Sequence, residues 1–140
     1  MKGYEVFSTT ADVGITIRGE TFRQLYLNAA EGFYLLVMGE KADQRKEEDA
    51  PGLLPFDYLG DSCENVLVNL LSELIFLLYT RNRITPKLMV KKAGEFVLQA
   101  DLVTYPLQQD PRVEIKSVTY HNLKIREHQS IKSAAIIFDI

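Results

Sequence analysis

The chain has 140 residues, about one domain, of which 46% are apolar and 25% charged, the balance of an ordinary folded protein rather than a disordered one. Lys plus Arg number 16 against 19 Asp plus Glu, and the resulting net charge of −3 argues against a general nucleic-acid binder, because neutralising phosphates requires a basic face. The single cysteine, Cys63, excludes an intrachain disulfide and a zinc site built on paired cysteines.

Two short strands come first. Tyr4 and Val6, then Val13, Ile15 and Ile17, alternate with strand period, and the polar run Ser8-Thr9-Thr10-Ala11-Asp12 between them reads as a loop. From Thr21 the period lengthens to three and four, so that Phe22, Leu25, Tyr26, Ala29, Phe33 and Leu36 line one helical face. Thr21 followed by Gln24 fits a capping box, and Gly39 marks the stop. Residues 39–60 read as a long loop between two helices. Lys41 to Asp49 is a mixed charge run, and Pro51, Gly52, Pro55 and Gly60 interrupt regular structure. Asp61, with Glu64 three residues on, opens a second helix carrying Val66, Leu67, Leu70, Leu71, Leu74, Ile75 and Leu78. That stripe is wide enough for a core helix covered on most sides.

From Ile84 the chain reads as strands. Residues 87–92 and 95–104 alternate about Ala93-Gly94 as a hairpin. Pro106 and Pro111 bracket a loop. Val113, Ile115, Ser117 and Thr119 then share one strand face, with Glu114, Lys116, Val118 and Tyr120 on the other. Ala134 to Phe138 is almost wholly apolar, as in a buried strand. The order shows no βαβ alternation and no repeat. It predicts a single α+β domain over 1–140, two main helices packed on a mixed or antiparallel sheet of about six to seven strands. No apolar run approaches the ~18 residues of a membrane span. The start, Met1-Lys2-Gly3-Tyr4-Glu5-Val6, lacks the apolar core of a signal peptide. A reducing cytoplasm is the expected location.

Few residues carry chemistry. Asp139 precedes Ile140, whose α-carboxylate would be a second anion after an apolar strand, and such charges must reach water, a cation or a cluster of donors. Taken singly, Asp139 reads as a strand end meeting solvent and Asp12 as a residue capping its own turn. Brought together, Asp12, Asp139 and the terminal carboxylate would repel, and would stay ionised only beside a cation. Oxygen-only ligation suits calcium, magnesium or manganese rather than zinc. Lys116 could serve there as a countercharge or a phosphate-binding point charge. His121 and His128 read as structural hydrogen-bonders and Cys63 as a packed thiol. Lys91-Lys92 and Lys124-Ile125-Arg126 read as solvated strand faces. No glycine-rich phosphate loop, nucleophile elbow or H-E-x-x-H motif occurs.

Four stretches resemble one family. Thr10-Ala11-Asp12-Val13-Gly14 resembles the Thr-Ala-Asp-Ile/Val-Gly signature of the archeases, and the helix from Thr21 to Met38, with Asn28-Ala29-Ala30, is similar to that family's first helix. Glu114-Ile115-Lys116-Ser117-Val118-Thr119-Tyr120-His121 resembles its Glu-Val-Lys-Ala-Val-Thr-Tyr-His stretch, and Phe138-Asp139-Ile140 its hydrophobic-Asp-Ile/Val ending. Their order and spacing span essentially the whole chain. The resemblance implies a small α+β protein that is not itself an enzyme and that activates an RtcB-type RNA ligase. That ligase joins 2′,3′-cyclic-phosphate or 3′-phosphate ends to 5′-hydroxyl ends in tRNA splicing and RNA repair. The helper promotes GTP-dependent transfer of GMP onto the ligase and sustains multiple turnover.

The resemblance further implies a divalent metal held by Asp12, Asp139 and Ile140, with calcium the leading candidate and magnesium or manganese admissible. Lys116 would be functionally important beside it, with His121 and Thr10 as secondary candidates. One departure stands out: the family often has His before Thr-Ala-Asp, where this chain has Thr9, so no role of that His carries over. Two other classes compete. One is a chaperone or specificity modulator of a tRNA cytosine methyltransferase, the other a metal-dependent phosphoester hydrolase with His121 as base. Neither direct nucleic-acid binding nor membrane contact is expected.

Overall fold

The alternation of the first twenty residues is realised as two antiparallel strands, β1 (Tyr4–Ser8) and β2 (Val13–Gly19), in a computed structural model that describes residues 3–39 and 50–140. Helix α1 (Phe22–Met38) follows. The Thr21 hydroxyl accepts the Gln24 N–H at 3.1 Å, as a cap should. Gln24 Oε1 reaches back to the N–H of Glu20 at 2.7 Å, one residue upstream of the bond that would close a capping box. At the other end Gly39, with φ 71°, supplies the left-handed geometry that stops the helix. Arg112 then takes up carbonyls that the last turn leaves unpaired. Its guanidinium donates to Leu36 O at 3.2 Å and its N–H to Val37 O at 2.6 Å.

Helix α2 (Cys63–Arg81) begins one residue later than the sequence suggests. Ser62, not Asp61, is the cap, accepting the Asn65 N–H at 3.0 Å, and left-handed Asn82 closes the far end. By length and composition α2 could cross a bilayer, contrary to the expectation that no stretch has that character. Its apolar residues are used otherwise. Val66, Leu67, Leu70, Leu71, Leu74 and Leu78 are all buried among the sheets and α1. Each such side chain contributes roughly 1.5–3 kcal/mol on burial.

The reading of 39–60 as a loop is corrected by β3 (Gly52–Leu59), which pairs along its whole length with β5 (Val97–Pro106). Leu54, Phe56 and Tyr58 face inward while Leu53, Pro55, Asp57 and Leu59 face out. Pro55 does not break the strand because β3 is an edge of its sheet, where a missing N–H costs no ladder bond. The charged run 41–49 lies outside the described residues. The predicted hairpin forms from β4 (Arg83–Ala93) and β5, completing a three-stranded sheet of order β3-β5-β4.

The predicted strand over Val113–Tyr120 is reduced to β6 (Ser117–Val118). The reason lies in what satisfies the backbone. Tyr79 Oη donates to Val113 O at 2.7 Å and accepts the Ile115 N–H at 3.1 Å, so these groups pair with a side chain rather than a neighbouring strand. Two further strands, β7 (Arg126–His128) and β8 (Ile131–Asp139), form a hairpin across Gln129 and Ser130, whose φ values of 52° and 67° are those of a type I′ turn. The larger sheet has five strands in the order β1-β2-β8-β6, with β7 also on β8. The α+β class therefore stands, with eight described strands in two sheets, all paired antiparallel, in place of one sheet. Helices pack between the sheets. Ile15, Ile17, Ile136 and Phe138 from the larger sheet and Leu98 and Leu102 from the smaller one join them in one core.

Candidate functional site

The site is built by the register of β2 on β8. Val13 lies opposite Phe138, and continuing that pairing by one residue brings Asp12 abreast of Asp139. Both side chains belong to the face opposite the core, since Ile15 and Phe138 point into it. Asp139 in turn pairs with Ser117 on β6, and the Lys116 N–H donates to Asp139 O at 2.8 Å. One end of the larger sheet thus gathers Asp12, Lys116 and the adjacent pair Asp139-Ile140 from three distant parts of the sequence. Asp139, Ile140 and Lys116 are exposed and Asp12 partly so.

Two hydroxyls hold this end in shape. Thr9 Oγ1 accepts the N–H of Asp12 at 2.9 Å and that of Ala11 at 3.3 Å, while the Thr9 N–H donates to Asp12 O at 2.8 Å. The β1–β2 turn is therefore locked by its own threonine, and the aspartate carboxylate is left unused by the turn. Ser117 Oγ donates to Asp139 Oδ2 at 3.2 Å and orients that carboxylate. Sequence reasoning names Thr9 only as a departure from the family pattern and gives Ser117 no role of its own. The Thr9-x-x-Asp12 spacing was a local signal for the first, whereas Ser117 becomes visible only through the pairing of β6 with β8.

Of the secondary candidates, Thr10 is exposed in the same turn. His121 is exposed beyond β6, its N–H on Thr119 Oγ1 at 3.3 Å and its ring 3.2 Å from Asn122 Nδ2. No carboxylate faces it in any described contact. Tyr120 beside it is pinned from α2, because Asn65 Nδ2 donates to its hydroxyl at 2.9 Å while Asn65 Oδ1 accepts from Tyr58 at 2.8 Å. Cys63 is buried, and burial pushes its thiol up to about 11 against the downward pull of a hydrogen bond with Tyr26. A thiol so placed is inert.

Among the described residues, no three His, Cys, Asp or Glu side chains form a group that could hold a metal. The set gathered here is smaller, two aspartates that the strand register sets abreast. As a donor set it fits a hard cation: it consists of oxygens only, and Ser117 already spends a proton on one of them. Two carboxylates fall short of a calcium shell, so the remaining positions would go to main-chain oxygens, water or a partner.

Residues 4–140 match the model of the archease protein family (MTH1598/TM1083). The chain is 25% identical over 131 residues to the protein archease of Pyrococcus furiosus, covering 89% of each. To that of Methanosarcina mazei it is 29% identical over 148 aligned positions, covering 99% of this chain and 97% of the relative. Its fold is shared with Methanobacterium thermoautotrophicum protein 1598, at a TM-score of 0.67 and 22% identity over the full length of both. A Thermotoga maritima archease, described as a possible chaperone, superposes at a TM-score of 0.63 with 19% identity, covering 97% of this chain and 96% of its own. With a family match that runs from the first strand to the last residue, the chain belongs to the archease family.

Proposed function

We propose that this archease is a non-catalytic activator of an RtcB-type RNA ligase, acting in the cytoplasm on tRNA splicing and RNA repair. The observation that carries the reading is the convergence of Asp12, from the family-like turn, with Asp139 and Lys116 at one end of the larger sheet. Asp12, Asp139 and Ile140 would hold a divalent metal, calcium first among hard cations, and such a cation would supply positive charge towards the phosphates of a partner's nucleotide. Thr9 holds the Asp12 backbone and Ser117 the Asp139 carboxylate while the tip docks. Lys116, exposed beside them, offers a point charge to phosphate oxygens. The helper's contribution is positional: it brings these groups against the ligase's nucleotide pocket and lets the ligase's own histidine take up GMP. Nothing in the described contacts of His121 equips it as a base, so turnover by the chain alone is not expected.

A second reading has one observation behind it, the description of the Thermotoga maritima archease as a possible chaperone. On that reading the chain would protect or redirect a tRNA cytosine methyltransferase. Multiple-turnover ligation by the ligase of the same organism, with GTP and divalent metal, separates the two. Three arms are needed: no helper, wild type, and Asp12→Ala. Stimulation by wild type and its loss in the variant are expected. Failure of folded wild type to stimulate would overturn the activator reading, and suppression of methyltransferase aggregation would then be the assay to run.

A further inference from the structure

Among the described residues, the five-stranded sheet has one face turned to the helices and one left open. Ile15, Ile17, Ala134, Ile136 and Phe138 fill the covered face, so their strand neighbours point the other way. The register then sets rows across the open side. Phe7, Gly14 and Ile137 make one row, Glu5, Thr16 and Ala135 the next, and Arg18, Ser133 and Arg126 a third. We propose that this open face binds single-stranded RNA, with phosphates along its basic end and a base on the ring of Phe7.

Charge separates along the face. Asp12 and Asp139 stand at one end with Lys116 beside them, and a group of cations without acidic partners stands at the other. Arg126 and His128 take alternate positions on β7, and Lys124 precedes Arg126 by the same interval. All three are exposed, and none has an ion-pair or hydrogen-bond partner among the described residues. Arg18 keeps a contact to Glu5 at 3.4 Å with both side chains partly exposed, a bridge that water and salt weaken and that a phosphate can displace. Alternate residues on a strand lie roughly 7 Å apart, comparable with successive phosphates of an extended strand. The net charge of −3 averages this polarity away.

The middle of the face is flat because its residues are small. At Gly14 a Cβ would stand 2.5 Å from Phe7 Cζ, so the partly exposed ring lies across the glycine instead of standing out from the sheet. An aromatic ring laid on a sheet beside a row of cations is the pairing that single-stranded nucleic acids use, the bases stacking and the backbone following the charge. A duplex offers the same phosphates but no unstacked base. The choice of RNA among polyanions rests on the activator reading, since a ligase helper works beside RNA ends.

The test is fluorescence anisotropy of a labelled 12-nucleotide oligouridylate, titrated with the full chain at low salt and without ligase. Saturable binding is expected with Kd about 10⁻⁵ M. Three or four phosphate contacts give a slope of log K against log salt of about −2 to −3. Lys124→Glu with Arg126→Glu should weaken binding at least about tenfold and flatten the slope, and circular dichroism should be unchanged because both side chains are exposed. Phe7→Leu should weaken it several-fold with the slope retained. Asp12→Ala should bind as wild type does while failing in ligation, which keeps this test separate from that of the activator role. No saturable signal, indifference to charge reversal, or equal affinity for a duplex of the same length would overturn the proposal.

Discussion

Tyr79→Phe probes how the site's flank is held. The Tyr79 hydroxyl, partly buried, donates to Val113 O at 2.7 Å and accepts from the Ile115 N–H at 3.1 Å. Burial raises its pKa, with the Ile115 N–H pulling the other way, as expected of a neutral hydroxyl placed between two main-chain groups. Phenylalanine keeps the ring and its packing and removes only those two bonds. At a net of roughly 0.5–1.5 kcal/mol each, the loss is about 1–3 kcal/mol. For a chain of this size that lowers Tm by roughly 3–10 °C. Urea unfolding should show a lower midpoint with an unchanged slope, because the surface exposed on unfolding is the same. The Ile115 amide should exchange faster, since its acceptor is gone. A loss below about 0.5 kcal/mol, or an Ile115 amide still protected, would refute the claim that this hydroxyl stands in for strand pairing ahead of Lys116.

Two further outcomes follow from the same geometry. Gly14→Ala sets a Cβ against Ile136 O and the Phe7 ring where β2 meets β8, so stability should fall by about 1–3 kcal/mol in chemical denaturation. Cys63, raised to about 11 from 9.0 by burial, stays a thiol in the folded chain. Its stabilisation is whole below pH 9 and is lost as pH climbs towards 11. Iodoacetamide at pH 8 should leave it unmodified until denaturant is added.

Periodicity made the elements legible wherever a side chain's neighbour was set by its own segment. Both helices, the β1–β2 pair and the β4–β5 hairpin are of that kind. β3 was hidden because Pro55 and the flanking glycines read as breakers, and whether a proline breaks a strand depends on its being at an edge, which only the sheet order reveals. The opposite error arose at Val113–Lys116. The alternation there is genuine, but the Tyr79 hydroxyl claims the Val113 carbonyl and the Ile115 N–H that a strand would have used. For the site, each aspartate taken alone looked like a cap or a strand end. Their juxtaposition depends on the register of β2 on β8, which no local pattern states. The family resemblance reached it by recognising motifs, not by deriving that pairing.

That juxtaposition has an energetic signature of its own. Like charges directly opposite on antiparallel strands destabilise the pair, here by a few tenths to about 1 kcal/mol given their exposure. The Thr9 hydroxyl, not the Asp12 carboxylate, locks the turn, so Asp12→Asn keeps the backbone and removes the repulsion. Without divalent metal the variant should therefore melt at or slightly above wild type, the difference fading as salt is raised. Calcium should reverse the order. A ligand bound to the folded state alone, at a hundred times its Kd, stabilises by about 2.7 kcal/mol, and that gain should be confined to the chain that retains both carboxylates. Were Asp12 only a turn residue, the two curves would coincide with and without metal. A wild-type melting temperature indifferent to calcium, magnesium and manganese alike would remove the cation from the account. The convergence of Asp12 and Asp139 would then have to be explained by what a partner presents to them.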